Sequence, residues 1–250
     1  MMFARRIGVF AAILLFAVST QAAQAQTAPT TFTLQPGGTA TVTYEAFCIE
    51  FGEVFAAAVQ LPSGLAPDAG RAALAYGVSK GYASDPAKAL QLQYAIWQAL
   101  GETTSPKGDT TAQDVLTNGK AVPANPQGTS VLDAVAAKNV TVTLVSWQPI
   151  GPKVAITQTA TDNFYGRGTL TIQNTSQQAL TLYMPVGTLF PSVNAAQQTM
   201  IGYATNVQVA NPQPTTLPAT GGSEQGGLLA LVALLLCAGA ALRMTRMVRG

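Results

Sequence analysis

The sequence predicts an α+β fold: a mainly antiparallel β-sandwich with an inserted α-helical subdomain, bracketed by an N-terminal signal peptide and a C-terminal transmembrane helix. Three observations lead there. Threonine- and valine-rich alternating runs occupy residues 31–51 and 140–210, amphipathic stretches with capping residues fill residues 64–138, and each end of the chain carries an apolar run beside arginines.

Residues 31–51 read as two strands about a Pro36-Gly37-Gly38 turn. In the second strand Val42, Tyr44, Ala46 and Cys48 share one face, and Thr41, Thr43 and Glu45 share the other. Cys48 is therefore expected to point inward. The helical part begins with residues 66–77, which open on proline and acid and stop at Gly77 or Gly81. A stronger helix runs over residues 85–100, with Asp85 as its cap and Pro86 in its first turn. Residues 102–127 are loop, broken by a short helix over 112–116, and a last helix covers 131–138 behind Thr129 and Ser130. Strands are expected over 140–147, 154–160, 168–174, 180–184 and 203–209. The clearest hairpin pairs 168–174 with 180–186 about the turn 175–178.

Arg5, Arg6, the apolar run 7–18 and the small-residue sequence Ala23-Gln24-Ala25 have the layout of a secretory signal peptide over residues 1–25, cleaved between Ala25 and Gln26. At the other end, residues 226–242 are at the short limit of a membrane-spanning helix and are followed by Arg243, Arg246 and Arg249, which should stay cytoplasmic. Before this helix lie a Pro/Thr-rich linker, 211–216, and the motif Leu217-Pro218-Ala219-Thr220-Gly221. Motif, apolar helix and basic tail over 217–250 resemble the cell-wall sorting signal of Gram-positive-type LPXTG surface proteins. The resemblance implies that a sortase cuts after Thr220 and passes the new carboxyl end to a cell-envelope amine acceptor. The product would be exported and held at the cell surface, in the wall or in the membrane.

Between those signals, residues 26–210 suffice for one domain with a sizeable core or for two small ones. From residue 26 to 220 there are eight basic and ten acidic side chains, a net charge of −2. The positive balance of the whole chain thus resides in its targeting segments, and no nucleic-acid partner is implied. The chain contains no histidine, which removes the usual serine, cysteine and metal chemistries that need an imidazole. Cys237 lies in the apolar C-terminal run, so the exported part has one thiol, Cys48, and no internal disulfide.

At helical pitch, Gln93 falls in the middle of the apolar arc formed by Leu92, Ile96, Ala89, Leu100, Trp97, Leu90 and Tyr94, while Gln91 and Gln98 project from the polar side. A buried amide without partners costs about 1–3 kcal/mol, so Gln93 must be hydrogen-bonded or chemically changed. One inward thiol and one inward carboxamide are the ingredients of an intramolecular thioester, formed with loss of ammonia when a fold holds the two together.

Phe47-Cys48 and the later Gln93, Ala95, Ile96 and Trp97 resemble the two motifs of the thioester domains of Gram-positive surface adhesins, with Leu92 where threonine is common. The resemblance implies a Cys48–Gln93 thioester that opens when an amine on a host or neighbouring cell attacks the Gln93 carbonyl, leaving an amide cross-link. It implies a β-sandwich with a helical subdomain, no metal or other cofactor, and a protein that binds once and is not an enzyme. The alternative is a non-covalent binding or structural module of the envelope, in which Cys48 and Gln93 are core residues. Glu50 and Glu53 either orient the nucleophile or are simply solvated. A hydrolase built on two carboxylates is the weakest reading, because no acidic pair stands at a telling spacing.

Overall fold

The computed structural model describes residues 31–150 and 163–213. It is α+β, with mostly antiparallel sheets and few helices. Strands β1 (Phe32–Leu34), β2 (Thr39–Cys48) and β3 (Gly64–Leu65) lead into α1 (Asp68–Ser79), a 3-10 turn (Tyr82–Ser84), α2 (Pro86–Ala99) and α3 (Thr110–Asn118). Then come β4 (Thr129–Ser130), α4 (Val131–Ala136), β5 (Val140–Pro149), β6 (Tyr165–Asn174), β7 (Leu180–Tyr183), β8 (Thr188–Phe190) and β9 (Met200–Ala210). The expected strand at 154–160, the residues on either side of the signal cleavage point, Ala25 and Gln26, and the segments 1–25 and 217–250 lie outside the described residues. Among the described residues no helix is long and apolar enough to cross a membrane.

The larger sheet has the order β3-β8-β9-β2-β6-β5, all antiparallel, and places β2 at its centre between β9 and β6. The smaller has the order β1-β7-β4, with β1 antiparallel and β4 parallel to β7. This corrects one expectation. The strands flanking 175–178 do not form a hairpin: β6 lies in the large sheet and β7 in the small one. The connection is an Asx turn, in which Asn174 Oδ1 accepts from the Ser176 backbone N–H at 2.9 Å while Asn174 Nδ2 donates to the Leu34 and Gln178 carbonyls. That side chain binds both sheets and redirects the chain from one to the other. The two strands expected about the turn at 36–38 are present as β1 and β2, and that turn carries the chain from the small sheet to the large one. Local alternation specifies strands but not their partners.

One core cluster draws on both sheets, with Phe32 and Leu34 of β1, Leu182 of β7, Val42, Tyr44, Ala46 and Cys48 of β2, and Leu170 and Ile172 of β6. The second lies across β2 from the first, where Phe47, Tyr165, Ile201 and Tyr203 meet the helices. There Leu74 of α1, Leu92 and Ile96 of α2, and Val115 of α3 are buried. The helix caps follow from local sequence. Asp85 accepts from the backbone N–H groups of Ala87 and Lys88, Asp109 from that of Thr111, and Ser130 from that of Asp133, satisfying donors that a helix start leaves free. The short helix expected at 112–116 extends over Thr110–Asn118 because Asp109 supplies this cap.

Two glycines permit close approach. A Cβ on Gly77 would collide with Leu92 Cδ1, so α1 and α2 pack backbone to side chain at that point. On β6, a Cβ on Gly168 would collide with the Tyr44 ring, which is stacked on Phe190 with centroids 4.1 Å apart. Across the central strands, Glu45 accepts from Arg167 at 2.6 Å and from the Tyr203 hydroxyl at 2.7 Å, bracing β6, β2 and β9 with one carboxylate. Gly168→Ala should displace the Tyr44 ring and lower the unfolding free energy by about 1–3 kcal/mol. Urea denaturation should show an earlier midpoint with an unchanged slope.

Candidate functional site

Cys48 is the last residue of β2, and its β9 partner in the register is Met200. Strand alternation turns its side chain to the core between the sheets, as expected, while Phe47 turns to the helical side and stacks on Tyr165 with centroids 5.4 Å apart. The thiol is fully buried, and Cys48 Sγ lies 3.9 Å from Met200 Sδ. Burial raises the thiol pKa well above its ordinary value, and the nearby Glu50 charge raises it further.

Gln93 lies midway along α2 and is also fully buried. Its carboxamide grips the Cys48 peptide from both ends. Gln93 Oε1 accepts from the Cys48 backbone N–H at 2.9 Å, and Gln93 Nε2 donates to the Cys48 carbonyl at 2.8 Å. The pairing of a fixed donor and a fixed acceptor also sets which end of the amide is oxygen. The two residues that sequence placed on inward faces are thus in direct contact across 45 positions of chain.

The residues that follow Gln93 divide between the two cores. Ala95 and Ile96 bury against the helical cluster, whereas Trp97 joins the core that contains Cys48. Phe51 meets the Trp97 ring edge-on at 5.0 Å. Trp97 Nε1 is buried with no hydrogen-bond partner among the described residues. Leu92, where threonine is common in adhesin thioester domains, fills the space above Gly77 and so belongs to the helix packing. Gln91 and Gln98, placed on the polar side of α2, pin the following loop: Gln91 Oε1 accepts from the Asp109 N–H at 2.7 Å, and Gln98 Nε2 donates to the Pro106 carbonyl at 2.9 Å.

Sequence reasoning missed the segment that closes the site. Residues 191–199 clasp the loop after Cys48 through Ile49 N–H to Thr199 O, Gln198 N–H to Val54 O, and Gln198 Nε2 to Glu53 O at 2.6 Å. Glu50 Oε2 accepts from the Thr199 N–H at 2.9 Å. Glu50 is half-buried, and burial raises its carboxyl above the usual range against the opposing effect of the Thr199 hydrogen bond. No local pattern could have named Met200 or Thr199, because only the β2–β9 register brings them to Cys48.

No family model, curated protein or solved structure matches the chain.

The arrangement offers a buried thiol, a carboxamide held in a fixed orientation, and a backbone N–H already directed at the carboxamide oxygen. Gln93→Leu on a Cys48→Ala background removes the partner of a buried carbonyl while leaving the backbone of residue 48 in place. It should cost about 1–3 kcal/mol, measured as the difference between the single and double variants in urea.

Proposed function

We propose that this chain is a cell-surface-anchored, adhesin-like protein that attaches covalently to amines through an internal Cys48–Gln93 thioester. The observation that carries the reading is the direct buried contact between the Gln93 carboxamide and the Cys48 peptide. Among the described residues Cys48 is the one free thiol, and the buried carboxamide is bonded to that same residue's peptide.

The chemistry balances without a cofactor. The Cys48 sulfur adds to the Gln93 side-chain carbonyl carbon, the carbon–nitrogen bond breaks, and ammonia leaves with the thiol proton. The Cys48 N–H donates to the oxygen that becomes negative in the tetrahedral intermediate, the role of an oxyanion donor. Holding the reactants in one geometry supplies effective molarities that reach about 10⁵–10⁸ M in well-oriented intramolecular reactions. Burial protects the thioester from water. Attack by a primary amine, on a protein or surface of a host or neighbouring cell, then gives an amide at Gln93 and returns the Cys48 thiol.

The fold accompanying this reading is a β-sandwich carrying a helical subdomain, supported by the core shared between two sheets and by the helices inserted in sequence between β2 and β4. Residues 1–25 would direct export, with cleavage between Ala25 and Gln26. A sortase would recognise Leu217, Pro218, Ala219, Thr220 and Gly221 and join Thr220 to an envelope amine. Until that transfer the chain would be held in the membrane by 226–242.

One observation favours a second reading, a non-covalent binding or structural module of the envelope. Both polar ends of Gln93 are satisfied by the Cys48 backbone, which is also what a permanently buried core glutamine requires. Intact mass separates the two. The thioester predicts a full chain lighter by one ammonia than its sequence, a defect abolished by Cys48→Ala and by Gln93→Ala. Methylamine should add once and release a titratable thiol. A full sequence mass, with the thiol titrating only after unfolding, would reject the covalent reading in favour of the non-covalent one.

A further inference from the structure

A thioester needs a proton acceptor twice, once for the Cys48 thiol and once for the attacking amine, and the chain has no histidine to supply one. We propose that Glu50 is the proton-transfer group of the Cys48–Gln93 site, in both formation and opening of the bond. This inference rests on the covalent reading above.

The geometry comes from the seam between β2 and β9. Cys48 and Glu50 are two residues apart, with Ile49 between them turned to the helical cluster. Both are tied to the same pair of residues at the start of β9. Cys48 Sγ lies 3.9 Å from Met200 Sδ, and Glu50 Oε2 accepts from the N–H of Thr199, the residue before it. The Ile49 N–H donates to the Thr199 carbonyl, which closes the seam between them. Glu50 is therefore held at the same seam as Cys48, with its carboxylate fastened to the Thr199 N–H. Glu50 is half-buried whereas Cys48 is fully buried, so the carboxyl can exchange its proton with solvent.

The electrostatics agree with this placement. The charged group that acts on the Cys48 thiol is Glu50, and the charged group that acts on Glu50 is Glu53. Burial raises the Glu50 carboxyl, which makes its ionised form a stronger base than an ordinary surface carboxylate. In formation, Glu50 takes the thiol proton as sulfur attacks the Gln93 carbon, then returns it to the departing nitrogen as ammonia leaves. In opening, Glu50 takes a proton from the attacking amine and delivers it to the Cys48 sulfur. The carboxylate is regenerated each time, and no other reactant is required.

The test compares full-length wild type, Glu50→Gln and Glu53→Gln by intact mass over time after synthesis. In Glu50→Gln the new amide oxygen can still accept from Thr199 but cannot take a proton. We expect Glu50→Gln to retain its ammonia at least about ten times longer than wild type, and Glu53→Gln, which only removes a charge that helps to raise Glu50, to mature within about threefold of wild type. Methylamine opening, expressed per free amine, should slow in wild type as pH falls through the raised Glu50 ionisation, because the ionised form is the acceptor. It should be slow and pH-independent in any matured Glu50→Gln chain. If Glu50→Gln matures and opens with the wild-type rate and pH profile, the role of Glu50 is overturned while the thioester stands. If wild type never loses ammonia, both fall. Should Glu50→Gln fail to fold, the wild-type profile decides alone, since a flat rate per free amine overturns the assignment.

Discussion

The paired hydrogen bonds between the Gln93 carboxamide and the Cys48 peptide join the two halves of this architecture, because one partner belongs to the inserted helices and the other to the central strand of the large sheet. Helix α2 cannot slide or rotate without breaking both bonds and leaving polar groups unsatisfied in a dry interior. The same bonds fix where α2 divides its side chains. Leu92 and Ile96 go to the helical cluster, and Trp97 goes to the core between the sheets. Stability and the proposed chemistry therefore draw on one contact.

That contact also explains the division of labour around the site. Direct contact with the thiol comes from β9 through Met200, and the carboxamide is oriented by the backbone of the thiol's own residue. The aromatic residues divide between the two faces: Phe47 stacks away from the thiol on Tyr165, and Phe51 meets Trp97 in the core that contains Cys48. A buried thiol with a raised pKa is a poor nucleophile by itself. Reactivity would have to come from orientation and from a neighbouring acceptor. The clasp between residues 191–199 and the loop after Cys48 positions Glu50 for that part.

The central sheet supplies the rigidity that such a site needs. Strand β2 is paired on both sides along most of its length, and the Glu45 carboxylate braces it to β6 and β9 three residues before Cys48. The Tyr44 ring fills the space that Gly168 leaves open and stacks on Phe190, which fills the space at Gly202. The end of β2 is thus anchored by main-chain ladders, a charged brace and aromatic packing, while the clasp above it is held by fewer, mainly single hydrogen bonds.

By itself the sequence determined which way the decisive side chains face. Period-two alternation aimed Cys48 inward, helical pitch put Gln93 in an apolar arc, and Asp85 with Pro86 marked where that helix begins, since these are local properties of backbone geometry. Tertiary structure alone decided what those faces meet. The turn at 175–178 reads as a hairpin, yet it carries the chain to the other sheet, because side-chain bonds such as those of Asn174 redirect strands that alternation leaves free to pair elsewhere. In the same way Met200 and Thr199 reached the thiol through a strand register spanning 152 positions of chain, a long-range pairing that no local pattern encodes.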